Sequence, residues 1–494
     1  MTGHSTSGRR VAHHLLMPGF SGTVAPTWLL EAARDGLAGV VLFAGNTPDL
    51  PTTAALTEQL YDAAPGLLIA VDEEGGDVSR LQAAAGSYLP GAAALGAVDD
   101  VGLTFRCGLA LGRVLVAVGI NLALAPVLDV NSRADNPVIG VRSFGATPEL
   151  VSRHGVAFLD GLHAGGVAGC GKHFPGHGDT AVDSHLTLPV LDADLSTLQK
   201  RDLPPFVAAI DAGLDVLMTG HLRVPAIGEA PASLEPAVTA LARKLGFAGP
   251  IMTDALDMAA VAADPGFGEA CVRAVEAGAD LLCLGTTAGR DDEDLFRVAR
   301  DALMTAIEQR RITSDRLHEG ALRMARFRTS TAARRMSPTM ARSPDAPGPE
   351  VAATLDELEQ VGAEAAARAV HTLGDVRLRP GDLVLDLRRT ADHAAGLRST
   401  TLTRVLSEVC GVTVSRPPAG VTAEGLLGLA VPGPRLALVT READPRISAL
   451  LKDRPDALVL HVGTAESAPV AENLVLAHGV GFANAREVAS RCSR

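Results

Sequence analysis

Aromatic residues are scarce: one Trp, two Tyr and twelve Phe among 494 residues, or 3%. So few rings exclude an extended base-stacking surface. Basic runs are missing too. The formal net charge of -13 is spread along the chain, which argues against nucleic acid or an anionic membrane as a partner. No apolar stretch approaches the ~20 residues of a membrane-spanning helix. The opening "MTGHSTSGRRVAHHLLMPGFSG" lacks the apolar core of a signal peptide. CxxC pairs are absent, and Cys107, Cys170, Cys271, Cys283, Cys410 and Cys492 lie far apart. That pattern reads as buried thiols, not a disulfide framework. The expectation is a soluble, cytoplasmic, monomeric protein.

What is present is a chain long enough for two domains, with 47% hydrophobic and 20% charged residues. Short apolar runs recur: "AGVVLFAG" (38–45), "GLLIAVDEEGG" (66–76), "INLALAPVLDV" (120–130), "VAGCGKHF" (167–174), "LDVLMTGHL" (214–222), "GPIMTDALDM" (249–258) and "ADLLCLG" (279–285). Amphipathic stretches such as "PELVSRHGVAFLDGLHAGG" lie between most of them. Strands alternating with helices imply a mostly parallel sheet covered by helices. Seven such runs favour a (β/α)8 TIM-type barrel over residues 1–328. An open doubly wound sheet is the alternative, but no GxGxxG follows the first run. Residues 329–350, "TSTAARRMSPTMARSPDAPGPE", read as a linker. Residues 351–494 read as a smaller α/β sandwich domain without a dense cluster of reactive side chains.

The polar ends of the runs share a pattern. One ends in Asp72-Glu73-Glu74, the next in Asp129 and Asn131, and others in Lys172-His173, His221 and Asp254. In a barrel all strand C-termini open on one face, so residues scattered over the sequence converge there. Each carboxylate alone has a plainer reading as a helix cap. Five such endings together weaken it. The densest stretch is "GKHFPGHGDTAVDSHLTLP" (171–189), with three histidines, two aspartates and a lysine. Gly171, Gly176 and Gly178 fit a mobile loop. His177 and Asp179 read as a turn held by side-chain hydrogen bonds.

"KHFPGHGDTAVDSHLTLP" resembles the signature of the β-N-acetylglucosaminidases of glycoside hydrolase family 3. "VDEEGGDVSRL", "APVLDVNSRADNPVIGVRSFG" and "IMTDALDMAA" resemble three further motifs of that family, in its order. The resemblance covers the N-terminal portion. The remainder is similar to the second domain of two-domain members only in position and α/β pattern. The resemblance implies a (β/α)8 barrel and a retaining mechanism, with Asp254 as nucleophile, His185 as acid/base and Asp183 as its partner. It also implies that Asp72, Arg80, Arg142, Lys172 and His173 bind the sugar. His221 joins that set as a candidate placed behind it. Two departures are visible: Asp77 stands where the family usually has Arg, and Ala255 where many members have Asp.

These residue types suit the chemistry. A carboxylate below the anomeric carbon stabilises an oxocarbenium-like transition state and then bonds to it. Imidazole, with an unperturbed pKa of about 6.5, gives and takes a proton near neutrality. A carboxylate two residues away fixes its tautomer. His173 alone would read as a satisfied core histidine, and each arginine alone as a surface ion pair. No cofactor is expected. A metal hydrolase is disfavoured because Pro175 and Gly176 interrupt the helix that His173 and His177 would need. Phosphate in place of water is the rival within the fold, since imidazole would not repel an incoming dianion. A sugar-binding module without catalysis is a third reading, opposed by Asp254, Asp183 and His185 standing together. The resemblance points to terminal N-acetylglucosamine from muropeptide or chitin fragments. The scarcity of rings favours short fragments and exo action. The second domain is read as packing against the barrel or a partner, over one rim.

Overall fold

The computed structural model describes residues 2–184, 187–285, 289–335, 347–388, 399–418, 420–429 and 434–494. Two parallel arrays of strands organise the chain. In the first, β2 (Gly39–Leu42), β3 (Leu68–Val71), β4 (Leu122–Ala123), β5 (Ala168–Phe174), β6 (Val216–Thr219) and β7 (Ile251–Thr253) are hydrogen-bonded in that order. β1 (Leu16–Met17) pairs in parallel with β8 (Leu282–Cys283). The ring closes on both sides of this pair. Val41 N–H donates to the Pro18 carbonyl at 3.0 Å, and Met252 bridges to Leu281. Eight parallel strands thus form a barrel. β1 escaped the sequence reading because two residues carry no periodicity.

Every residue of these eight strands is buried. Helices cover the outer faces, which explains why the strands read as unbroken apolar runs. All six cysteines are buried and unpaired.

The second sheet has the order β11-β10-β12-β13-β14-β9. Its strands are β9 (His371–Leu373), β10 (Leu383–Asp386), β11 (Thr413–Ser415), β12 (Leu436–Thr440), β13 (Leu458–His461) and β14 (Asn473–Leu476). Five run parallel and β9 is antiparallel at the edge. Of the segment read as a linker, 329–335 belongs to the helix Ser314–Arg335 and 347–350 to the helix Pro347–Ala369. Residues 336–346 lie outside the described residues. The helix Pro347–Ala369 lies against the barrel helix Val101–Ala117, where Arg106 meets Glu364 and Arg113 meets Glu357.

Candidate active site

The C-terminal ends of the barrel strands surround a cavity of about 690 Å³, within the size range of small-molecule sites. Asp72 follows β3 directly. Its carboxylate lies 2.7 Å from Lys172 Nζ on β5 and 3.5 Å from Arg80 Nη2. Glu74 lies 2.7 Å from the same Nζ. It also accepts two bonds from Arg142, at 2.9 Å from Nε and 2.8 Å from Nη2. This fork-on-carboxylate pairing is the strong, directional kind. Asp72, Glu74, Arg80, Arg142 and Lys172 all reach the cavity wall.

Burial would raise the Asp72 carboxyl, but Lys172 and Arg80 hold it well below the usual range. Glu74 is likewise brought down to about 2, because Arg142 and Lys172 outweigh its burial. Lys172 would be pushed down by burial, yet Asp72 and Glu74 carry it above its ordinary value. Asp72, Glu74 and Lys172 are therefore charged across the neutral range and keep their donors and acceptors in fixed places.

A second network lies beside it. Asp129 follows β4 and is fully buried. It meets His173 Nδ1 at 2.7 Å and accepts the backbone N–H of His177 at 2.7 Å. His173 and His177 both line the cavity, with His173 Nε2 3.4 Å from Arg142 Nη2. His177 Nδ1 bonds Thr180 and Nε2 faces Ser184. Burial, followed by the His173 ring nearby, lowers His177 to about 4. Asp179 pairs with Arg201 at 2.6 Å, as a turn-holding residue would. Each histidine thus has its Nδ1 committed to a protein oxygen. Among the described residues no group of three or more His, Cys, Asp or Glu is arranged to hold a metal.

Asp254 follows β7 and also lines the cavity. Its backbone N–H donates to the Thr219 carbonyl at 3.0 Å, and its Oδ1 accepts from Ala255 N–H at 2.8 Å. The carboxylate is thus anchored at the strand end and presented to the opening.

The structure thus brings six sequence candidates, Asp72, Arg80, Arg142, Lys172, His173 and Asp254, to one cavity. His221 is not at its wall. It is fully buried, bonded to Ser233 Oγ at 2.7 Å and to the Ala255 carbonyl at 2.9 Å. It steadies the turn after Asp254 and is too deep to reach a sugar. His185 lies outside the described residues. Asp183, two residues earlier in the chain, is half-buried, and Ser184 reaches the cavity wall. The glycine expectation needs correction. Gly171 sits inside β5, where a Cβ would come within 2.7 Å of Leu128. A Cβ on Gly176 would lie 2.9 Å from Asp202, and Gly178 packs against the Val130 carbonyl. These glycines allow close packing; they are not hinges of a free loop.

Sequence reasoning named Glu74 and Asp129 among the strand ends but gave neither a role at the site. Charge balance was the missing signal: a buried lysine and a buried arginine require carboxylate partners. Asp257 and Arg290, 3.9 Å apart at the rim, gave no such signal.

The glycosyl hydrolase family 3 N-terminal domain matches residues 23–327. A protein of Pseudoalteromonas piscicida named beta-hexosaminidase A is 33% identical over 334 residues, covering 62% of this chain. The chain spans only 56% of that relative. A beta-hexosaminidase of Methylococcus capsulatus is 38% identical over 253 residues, which is 50% of this chain and 75% of the relative. The solved structure of a family 3 beta-N-acetylglucosaminidase from Paenibacillus sp. superposes with a TM-score of 0.84 at 30% identity, over 98% of this chain and 96% of that one. With the family match over more than half its length, and with an acidic and basic cluster at the strand ends of its barrel, the chain belongs to glycosyl hydrolase family 3.

Proposed function

We propose that the protein is a retaining, exo-acting β-N-acetylhexosaminidase acting on short N-acetylglucosamine-containing fragments. The observation that carries this reading is the cavity itself. One carboxylate, Asp254, stands at a strand end and lines the same cavity as the charged set Asp72, Arg80, Arg142 and Lys172. The names of the similar proteins support the sugar class. The 690 Å³ volume favours a small fragment over a polymer.

In this reading Asp72 accepts from sugar hydroxyls while Lys172, Arg80 and Arg142 donate. The leaving oxygen takes a proton from the His185 imidazolium as the C1–O bond breaks. Asp254 attacks C1 and forms a glycosyl ester. Water then attacks C1, His185 takes its proton back, and Asp254 leaves as carboxylate. Asp183 orients the imidazole and favours its protonated form.

The test is turnover of 4-nitrophenyl N-acetyl-β-glucosaminide with and without phosphate, beside His185→Ala. Free N-acetylglucosamine at a rate independent of phosphate supports hydrolysis. A sugar 1-phosphate formed faster as phosphate rises makes the enzyme a phosphorylase. Absence of turnover by the wild type refutes both.

A further inference from the structure

Asp77 breaks the family pattern, and the structure gives it a partner. Its carboxylate lies 2.6 Å from Arg441 Nη1 and accepts the Val480 N–H at 2.7 Å. The Asp77 side chain is only 2% exposed. Both partners belong to the second α/β unit. Arg441 follows β12, and Val480 lies just before the helix Phe482–Cys492. Asp77 itself sits on a tight turn of the barrel. Gly75 and Gly76 have φ of 86° and 58°, Glu74 N–H donates to the Val78 carbonyl at 3.0 Å, and Val78 N–H returns to Gly75. Glu74, Val78 and Arg80, on either side of Asp77, line the cavity.

We infer that Asp77 is a positioning residue: through Arg441 and the Val480 amide, the second domain holds the barrel segment 72–91 in the conformation that presents Asp72, Glu74 and Arg80 to the substrate. The inference deepens the reading under Proposed function and rests on it for the role of those three residues.

Segment 72–91 has no regular secondary structure of its own, so side-chain ties must fix its shape. Glu73 ties it from within, accepting from Arg80 N–H at 2.9 Å and Leu81 N–H at 3.0 Å. The second domain ties its outer face. Ala483 N–H donates to the Ser87 carbonyl at 3.2 Å, Tyr88 and Phe482 rings lie 5.3 Å apart, and Thr401 Oγ1 donates to the Ala85 carbonyl at 3.2 Å. A Cβ on Gly481 would approach Gly76 Cα to 3.1 Å, so the two backbones nearly touch. Arg404 Nη2 adds a 3.2 Å bond to the Ala85 carbonyl, and Asp77 supplies a buried ion pair. Its burial separates it from the Arg106–Glu364 pair, which is 49% and 42% exposed. An exposed pair contributes little. A buried carboxylate deprived of its cation, or a cation deprived of its carboxylate, forces rearrangement.

The test uses the full-length chain and the variants Asp77→Asn, Arg441→Gln, Arg441→Lys and the Asp77→Asn/Arg441→Gln double. Kinetics on 4-nitrophenyl N-acetyl-β-glucosaminide are measured beside hydrogen–deuterium exchange of 72–91. Asp77→Asn and Arg441→Gln are each expected to raise KM about tenfold with kcat within about threefold. Arg441→Lys should restore much of the loss, and the double variant should be no worse than the worse single. Exchange should quicken in 72–91 and stay unchanged in β5, β6 and β7. Arg441 is 22% exposed, so its variants carry the test should Asp77→Asn fail to fold. Unaltered KM in folded variants, even with a lowered melting temperature, would reduce the contact to packing and overturn the inference. A wild type inactive on this glycoside refutes the proposed function instead. The exchange data then decide alone: quickening confined to 72–91 supports the coupling, and unchanged exchange refutes it.

Discussion

Replacing Glu74 with Gln tests the charged network at its most connected point. Glu74 takes 2.9 and 2.8 Å bonds from Arg142 and lies 2.7 Å from Lys172, almost out of contact with solvent. The substitution keeps the shape and removes the charge. Asp72 is then left to balance Lys172, Arg80 and Arg142 within the network. Two arguments give the size of the effect. A carboxyl held at about 2 instead of 4.5 contributes about 3 kcal/mol to folding at neutral pH. Removing one partner of a buried pair costs ~3–5 kcal/mol. The only tryptophan, Trp28, lies in the barrel unit, so urea unfolding followed by its fluorescence reports on the affected unit. Glu74→Gln should lose about 3 kcal/mol at pH 7. The sign with pH follows from a depressed folded-state pKa. The contribution is complete above about 4.5 and disappears as pH falls through about 2. The gap between the proteins should therefore narrow in that window. A loss below ~1 kcal/mol at pH 7, the range of an exposed pair, would refute the reasoning. So would a gap that widens in acid.

Further outcomes follow from the same geometry. Asp254→Asn should lower kcat by about 10⁴-fold or more with circular dichroism unchanged; a variant keeping a tenth of the activity would remove Asp254 from the chemistry. Arg142→Lys substitutes a point charge for the fork that grips Glu74, and KM should rise about tenfold; an unchanged KM would show that the fork does not shape the sugar site. His177 should titrate near 4, read from its ring protons by NMR. Its depressed pKa means the unfolded chain takes the proton first, so stability should fall as pH drops from about 6.5 to 4, a slope that His177→Gln should flatten. A His177 titration near 6.5 would contradict its burial.

Much of this protein was legible in its sequence because the signals are local. Seven apolar runs of barrel type, each ending in polar residues, specify buried parallel strands and place Asp72, Lys172, His173 and Asp254 at their ends. Strand alternation and end chemistry need only neighbouring residues to be read. β1 was not legible: Leu16–Met17 becomes a strand only because β2 and β8 flank it. Gly171 misled for a related reason, since close packing belongs to neighbours distant in sequence. The sequence by itself determined which side chains the barrel would offer at its strand ends. Only the tertiary structure decided which of them pair. Glu74 and Arg142 are 68 residues apart, and Asp77 and Arg441 are 364 apart. A charge buried at one point of the chain is stable only beside its opposite, and folding alone brings the two together.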